Sequence, residues 1–169
     1  MYQKIMIPLD GSELAECVLP HAEAFIKGGM ARTAVFLWVL EPLPTAMYGA
    51  SVETFASSAQ EDIFASNADY WEKMDAERKS TAEEYLNKMA QRFNPYGTEL
   101  KCEVLEGQIA ETMASYAEKN NIDLILIATH GRSGVSRWLM GSVADRVLHY
   151  SRVPVLMVRA PGSNMTSGA

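Results

Sequence analysis

The chain has 169 residues, 48% of them hydrophobic, with a formal net charge of −6. That length suits one domain with a full core, and the acidic balance excludes the basic face that nonspecific nucleic-acid binding needs. No apolar run approaches the ~20 residues of a membrane span, and Met1-Tyr2-Gln3-Lys4-Ile5 enters a strand at once, so no signal peptide is expected.

Residues 4–9 read as a first strand. Pro8 fits at a strand end, where no ladder donor is needed. Asp10-Gly11-Ser12 is a turn that also offers a helix cap. The helix is expected to run to about residue 27, with Leu14, Val18, Ala22 and Phe25 on one face, until Gly28-Gly29 stops it. Residues 34–40 are unbroken and apolar, as a central strand covered on both faces is. Residues 43–70 have little period and are longer than most connections. They read as a lid, an interaction arm or a further helix. Tyr48, Phe55, Phe64 and Tyr70 are many aromatics for a disordered linker, so this insert is expected to pack over a ligand crevice or across a dimer. From about Trp71 to Phe93 a helical stripe returns in Ala82, Leu86, Met89 and Phe93, and Asn94-Pro95-Tyr96-Gly97 ends it.

Residues 99–105 alternate, with Leu100, Cys102 and Val104 on one side, as a more exposed strand near an edge does. Gly107 is expected to start a helix carrying Ile109, Met113, Tyr116 and Ala117, which Asn120-Asn121 ends. Residues 124–128 are a short apolar run and read as a buried parallel strand. A glycine- and arginine-containing loop follows, then Gly141-Ser142 ahead of a helix reaching Tyr150. Residues 155–159 form the last strand. The domain is expected to span 1–160, and 161–169 to be a disordered tail. Cys17 and Cys102, on separate elements, read as reduced structural thiols of a cytoplasmic protein.

Strands alternating with helices imply a parallel sheet covered on both faces. Ligands of such sheets bind beyond the carboxyl ends of the strands, where the strand order reverses. The strongest motif lies at such a strand end. From Ala128 the residues fit A-x2-G-x9-G-S, with Gly131, Gly141 and Ser142. The first amides of a helix lack intrahelical partners, and the helix dipole adds positive charge there. Glycines let the backbone approach an anion. Arg132 and Arg137 can neutralise phosphate. His130 stands beside Gly131 with no Cys, Asp or His at metal-ligand spacing, so it reads as orienting a phosphate or the turn rather than as a base. Asp10 can take ribose hydroxyls or cap the following helix, and Ser12 can cap in its place.

This loop resembles the G-x2-G-x9-G-[S/T] nucleotide loop of the universal stress protein family, in its ATP-binding branch. Ile5-Met6-Ile7-Pro8-Leu9-Asp10-Gly11-Ser12 and Val153-Pro154-Val155-Leu156-Met157-Val158-Arg159 are similar to that family's first and last strands, and the resemblance covers about residues 2–160. The family's first loop glycine is Ala128 here. A methyl at a strand end is a small intrusion, and nucleotide binding is expected to survive it. The resemblance implies an α/β, doubly wound, Rossmann-like fold with a five-stranded parallel sheet of order 3-2-1-4-5. It implies ATP as ligand, with or without magnesium or manganese. Ala128, His130, Gly131, Arg132, Gly141, Ser142 and Val143 would serve the phosphates, Asp10 the ribose, and Pro8, Leu9, Val39 and Ile127 an adenine slot. It also implies a homodimer paired through the edge strand of Val155, Leu156, Met157 and Val158, with ATP and a second copy as partners; from the acidic charge and the lack of a long apolar run, neither nucleic acid nor membrane is expected as a partner.

The expected role is stress response or signalling by nucleotide binding. Hydrolysis is expected to be slow or absent, because the loop supplies no P-loop lysine and no carboxylate to hold magnesium. Asp145 reads as a helix-surface residue. Two alternatives stand beside this reading. One is a nucleotide-hydrolysing or adenylyl-transferring enzyme of the same fold class, whose SGGxDS-like loop or HxGH-like pair this chain lacks. The other is a stress scaffold that binds no nucleotide, which Ala128 favours.

Overall fold

Five strands form the centre of the molecule: β1 (Tyr2–Pro8), β2 (Ala31–Leu40), β3 (Glu99–Glu106), β4 (Leu124–Thr129) and β5 (Val155–Arg159). The computed structural model describes residues 1–43, 58–93, 96–129 and 143–160, with the backbone alone over 58–69. All five strands pair in parallel, in the order β3-β2-β1-β4-β5. The expected doubly wound sheet of order 3-2-1-4-5 is therefore present.

Strand burial explains the apolar runs. Ile5, Met6 and Ile7 of β1 are fully buried. Successive side chains point to opposite faces, so Ile5 and Ile7 join one core and Met6 the other. β2 divides in the same way, with Phe36 on the first face and Val35 and Leu37 on the second. At the β3 edge burial is only partial, and Leu105 packs against the second core. Leu100, Cys102 and Val104 are half-buried against the first core, as their alternation predicts.

The first face is covered by α1 (Glu13–Glu16), α2 (Leu19–Lys27) and α3 (Ser58–Gln91). The second is covered by α4 (Ile109–Lys119) and α5 (Val143–Tyr150). No helix among the described residues is long and apolar enough to cross a membrane.

The helices differ from expectation in three places. The single helix expected up to residue 27 is two. Pro20 has no N–H to give the carbonyl of Glu16, so the chain tightens into i→i−3 bonds, Cys17 N to Leu14 O at 3.2 Å and Val18 N to Ala15 O at 3.3 Å, and starts again. The buried stripe shifts with it to Ala15, Val18, Leu19, Ala22 and Ile26, and Leu14 and Phe25 are only half-buried. α3 begins at Ser58, ahead of Trp71, so the latter part of the 43–70 insert is helical. Its stripe of Ala82, Leu86, Met89 and Phe93 is buried as expected, whereas over residues 70–81 the stripe continues only as half-buried positions, Trp71, Met74, Asp75 and Arg78, between exposed ones. α4 begins at Ile109, after a turn at Gly107 rather than with it. The rest of the insert, the Asn94-Pro95 turn and residues 161–169 lie outside the described residues.

α3 runs antiparallel to β2. Phe93 packs on Phe36 with ring centroids 5.4 Å apart, Tyr85 on Trp38 at 5.3 Å, and Arg78 Nη2 donates to the Glu41 carbonyl at 2.8 Å. Lys79 pairs with Glu106 at 3.6 Å. The α3 backbone ahead of Arg78 therefore stands beyond the carboxyl end of the sheet. At the opposite end, Asp123 closes the seam between β1 and β4. Its carboxylate accepts the amides of Gln3 and Lys4, and its own amide donates to the Lys4 carbonyl at 2.8 Å.

Candidate functional site

The seam that Asp123 closes at one end opens at the other. β1 and β4 pair at Ile5 with Leu124 and Met6 with Ile125, and no further pair follows among the described residues. Beyond that point β1 stays with β2: Pro8 pairs with Leu37, and the Leu9 amide donates to the Leu37 carbonyl at 2.9 Å. β4 stays with β5 through Thr129 and Arg159, and the Ala160 amide donates to the Thr129 carbonyl at 3.0 Å. Pro8 has no N–H to carry a ladder toward β4. The two halves of the sheet thus part at their carboxyl ends, where the strand order reverses, which is where open α/β sheets take ligands.

Strand alternation distributes the residues around this parting. Val39 and Ile127 are buried in the second core, and Pro8 shares the parity of Met6 on that same face. Leu9 is buried on the first face, against α1 and α2. The structure therefore places Pro8, Val39 and Ile127 on one face of the sheet and Leu9 on the other. Ala128 is half-buried within β4, with the parity of Leu124 and Leu126, so its methyl points toward the first face and away from Ile127. Val143 opens α5 and packs against the second core. His130, Gly131, Arg132, Arg137, Gly141 and Ser142 lie outside the described residues.

The turn at the end of β1 is built in detail. Ser12 caps α1, its Oγ accepting the Ala15 amide at 3.1 Å. Asp10 Oδ1 accepts both the Ser12 amide at 3.0 Å and the Ser12 hydroxyl at 2.6 Å. Ser12 thus takes the capping role that competed for Asp10. The Asp10 side chain is exposed, and among the described residues both of its bonds fall on Oδ1. Gly11 between them has φ +78°, a conformation that favours glycine. A Cβ on Gly11 would lie 2.9 Å from the Trp38 Cη2 atom, so only glycine lets the turn sit on the indole.

Sequence reasoning missed this underside of the turn. Trp38 is half-buried in the first core, and Tyr85 of α3 meets its ring edge-on at 85°. The Tyr85 hydroxyl donates to Glu16 Oε1 at 2.8 Å. Burial, and then the Glu16 and Asp10 carboxylates, push the phenol well above its ordinary range. The signal available was a lone Trp within the otherwise aliphatic and Phe-bearing run of residues 34–40. Its partners come from a helix 47 positions onward (Trp38 to Tyr85).

Elsewhere among the described residues the chemistry is quiet. Burial pushes the Cys17 and Cys102 thiols up, which keeps them protonated at neutral pH, and both are free. A shallow groove of about 430 Å³ lies at the β3 edge, lined by Leu105 and by Gln108, Thr112 and Tyr116 of the α4 segment, two strands away from the parting. His149 Nδ1 is 2.8 Å from the Asp145 carbonyl, one turn back in α5.

Comparison with known proteins adds to this geometry. A model described as the universal stress protein family matches residues 1–159. Universal stress protein MJ0531 of Methanocaldococcus jannaschii is 32% identical over 161 residues, 95% of this chain and 84% of that protein. The solved structure of MJ0577, from the same organism, is similar with a TM-score of 0.72 and 26% identity, covering 96% of this chain and 99% of that one. A universal stress protein family protein of Arabidopsis thaliana, solved with AMP bound, shares the fold at a TM-score of 0.60 and 12% identity, over 94% of this chain and 92% of its own.

Proposed function

We propose that this chain, which belongs to the universal stress protein family, is a stress-response module that binds ATP between the carboxyl ends of β1 and β4 and acts by holding the nucleotide rather than by turning it over. The observation that carries this reading is the parting of β1 from β4 at the reversal of strand order, with the Asp10 turn on one lip and the A-x2-G-x9-G-S loop leaving from the other. In this reading the adenine lies against Pro8, Val39 and Ile127. Asp10 takes the ribose hydroxyls. The phosphates meet the amides and hydroxyl of Gly131, Gly141, Ser142 and Val143, with His130 and Arg132 beside them. Leu9 contributes its backbone alone. The methyl of Ala128 points away from Ile127, which fits a nucleotide in this crevice despite the missing glycine. That a fold relative carries AMP supports the ligand class.

The module pairs with a second copy through β5, an edge strand of the sheet. Val155 and Leu156 are half-buried, Val158 is buried, and Met157 is 43% exposed. An edge of this composition, with open backbone donors and acceptors, favours two-fold antiparallel pairing.

Thermal melting tests the nucleotide site. ATP at about a hundred times its dissociation constant stabilises the wild type by ~2.7 kcal/mol. Gly131→Val puts a branched side chain where phosphate lies, and the shift disappears. An ATP shift in the wild type no larger than in Gly131→Val means that the site is elsewhere.

A further inference from the structure

Trp38 lies outside every group assigned to the nucleotide, yet it closes a ring of contacts around the Asp10 turn. Asp10 Oδ1 holds the Ser12 amide and hydroxyl. Ser12 caps α1, and α1 carries Glu16. Glu16 accepts the Tyr85 hydroxyl at 2.8 Å, Tyr85 stands edge-on to Trp38 at 5.3 Å, and the Trp38 six-membered ring supports Gly11, the residue after Asp10. The members come from four places in the fold: the turn after β1, α1, α3 and β2. The indole is backed by Tyr85 and by the first core, against which it packs half-buried. The Gly11 backbone cannot sink, because the ring already lies within contact of where a Cβ would be. A carboxylate on a free turn samples many positions, and ordering it costs part of the binding energy. A carboxylate held in advance avoids that cost.

We infer that Trp38 is the positioning residue for Asp10: wedged by Tyr85, its indole fixes the Gly11 turn so that the carboxylate is presented to a vicinal diol, and the chain thereby prefers ribonucleotides to nucleotides lacking the sugar hydroxyls. The inference rests on the reading of the parting as an ATP site and adds the device that sets its sugar preference. Trp38 acts through Gly11 and touches no ligand in this scheme. The proximity of the Asp10 carboxylate to the Tyr85 phenol, felt in the raised Tyr85 titration, is consistent with the ring of contacts.

The test is calorimetric titration of the full chain with ATP and with 2′,3′-dideoxy-ATP. Hydrogen bonds to a charged group carry roughly tenfold or more in affinity, so the wild type binds ATP at least about tenfold tighter than the dideoxy compound. Trp38→Phe keeps an aromatic for Tyr85 but withdraws the ring from Gly11. It lowers that preference about threefold or more while dideoxy-ATP affinity stays within about twofold. Gly11→Ala drives the turn off the indole from above and gives the same loss, which keeps the test decisive should Trp38→Phe fold poorly. Asp10→Asn sets the floor, and Trp38→Phe added to it changes the preference no further. An unchanged preference in both Trp38→Phe and Gly11→Ala, or an equal fall for both nucleotides, overturns the positioning role. ATP binding with no hydroxyl preference in the wild type overturns it while leaving the ATP site standing. A wild type that binds neither compound overturns both.

Discussion

Tyr85 ties the long helix to the first turn by one hydroxyl, and that hydroxyl titrates. Its neighbours are carboxylates, Glu16 as hydrogen-bond acceptor and Asp10 nearby, so the phenolate is disfavoured in the folded state beyond the effect of burial. The folded pKa lies above the ordinary 10.0, so the folded chain keeps a proton that the unfolded chain loses. Stability from this group is fully present below about pH 10 and falls as pH rises above it. Urea denaturation from pH 7 to 11 will show the wild type losing stability on the alkaline side. Tyr85→Phe will start lower, through loss of the bond to Glu16, and will decline less steeply. Parallel alkaline limbs for the two proteins would show that other groups govern that limb. The same residue marks a limit of sequence reading. Tyr85 lies one position before Leu86 in the helical stripe and looks like a flank of the core. Only the crossing of α3 over β2 reveals that it meets Trp38.

At the scale of elements, legibility followed burial. β1, β2 and β4 are buried on both faces and stood out as unbroken apolar runs, and β3 announced its edge position by alternating. The break between α1 and α2 went unread because the 3.6-residue period of Leu14, Val18 and Ala22 continues across Pro20, whose missing N–H overrides it. The first part of α3 went unread because Ala, Ser, Asn and Asp interrupt the apolar residues between Ser58 and Tyr70 and leave little period in the sequence. Of the candidate site, the strand ends and the Asp10 turn were legible because a parallel sheet dictates where ligands enter. The brace of Trp38 and Tyr85 was not, being wholly tertiary. β5 supplies the test of assembly at this scale. Met157 shares a face with Arg159, so Met157→Lys sets like charges across a two-fold pair, and it will weaken self-association by about tenfold or more. Sedimentation at micromolar concentration reads it, with the wild type a dimer. A monomeric wild type under those conditions removes the edge-pairing proposal.

For the molecule as a whole, the proposed role depends on binding without chemistry. Phosphoryl transfer needs a positioned water and groups that stabilise charge on the transferring phosphoryl. Residues 129–142 contain no lysine, aspartate or glutamate, and His130 is their one general-base candidate. Affinity that is equal for ground and transition states gives no rate. A single-turnover assay with protein in excess and magnesium present is therefore expected to run slower than about one per second, the low end of ordinary enzymes. Faster turnover that is lost in His130→Ala would make the chain an enzyme. The position of β1 at the middle of the sheet has a further consequence, in time rather than space. β1 is made first, and one of its borders is soon available from β2, but the other waits for Asp123 and β4, some 119 residues later. At the ~5–20 residues per second of synthesis, that border stays open for roughly 6–24 s on the ribosome. During that interval the newborn chain carries its central strand half-sheathed, so the age at which a nascent chain is safest from its neighbours is set by when residues 123–129 emerge.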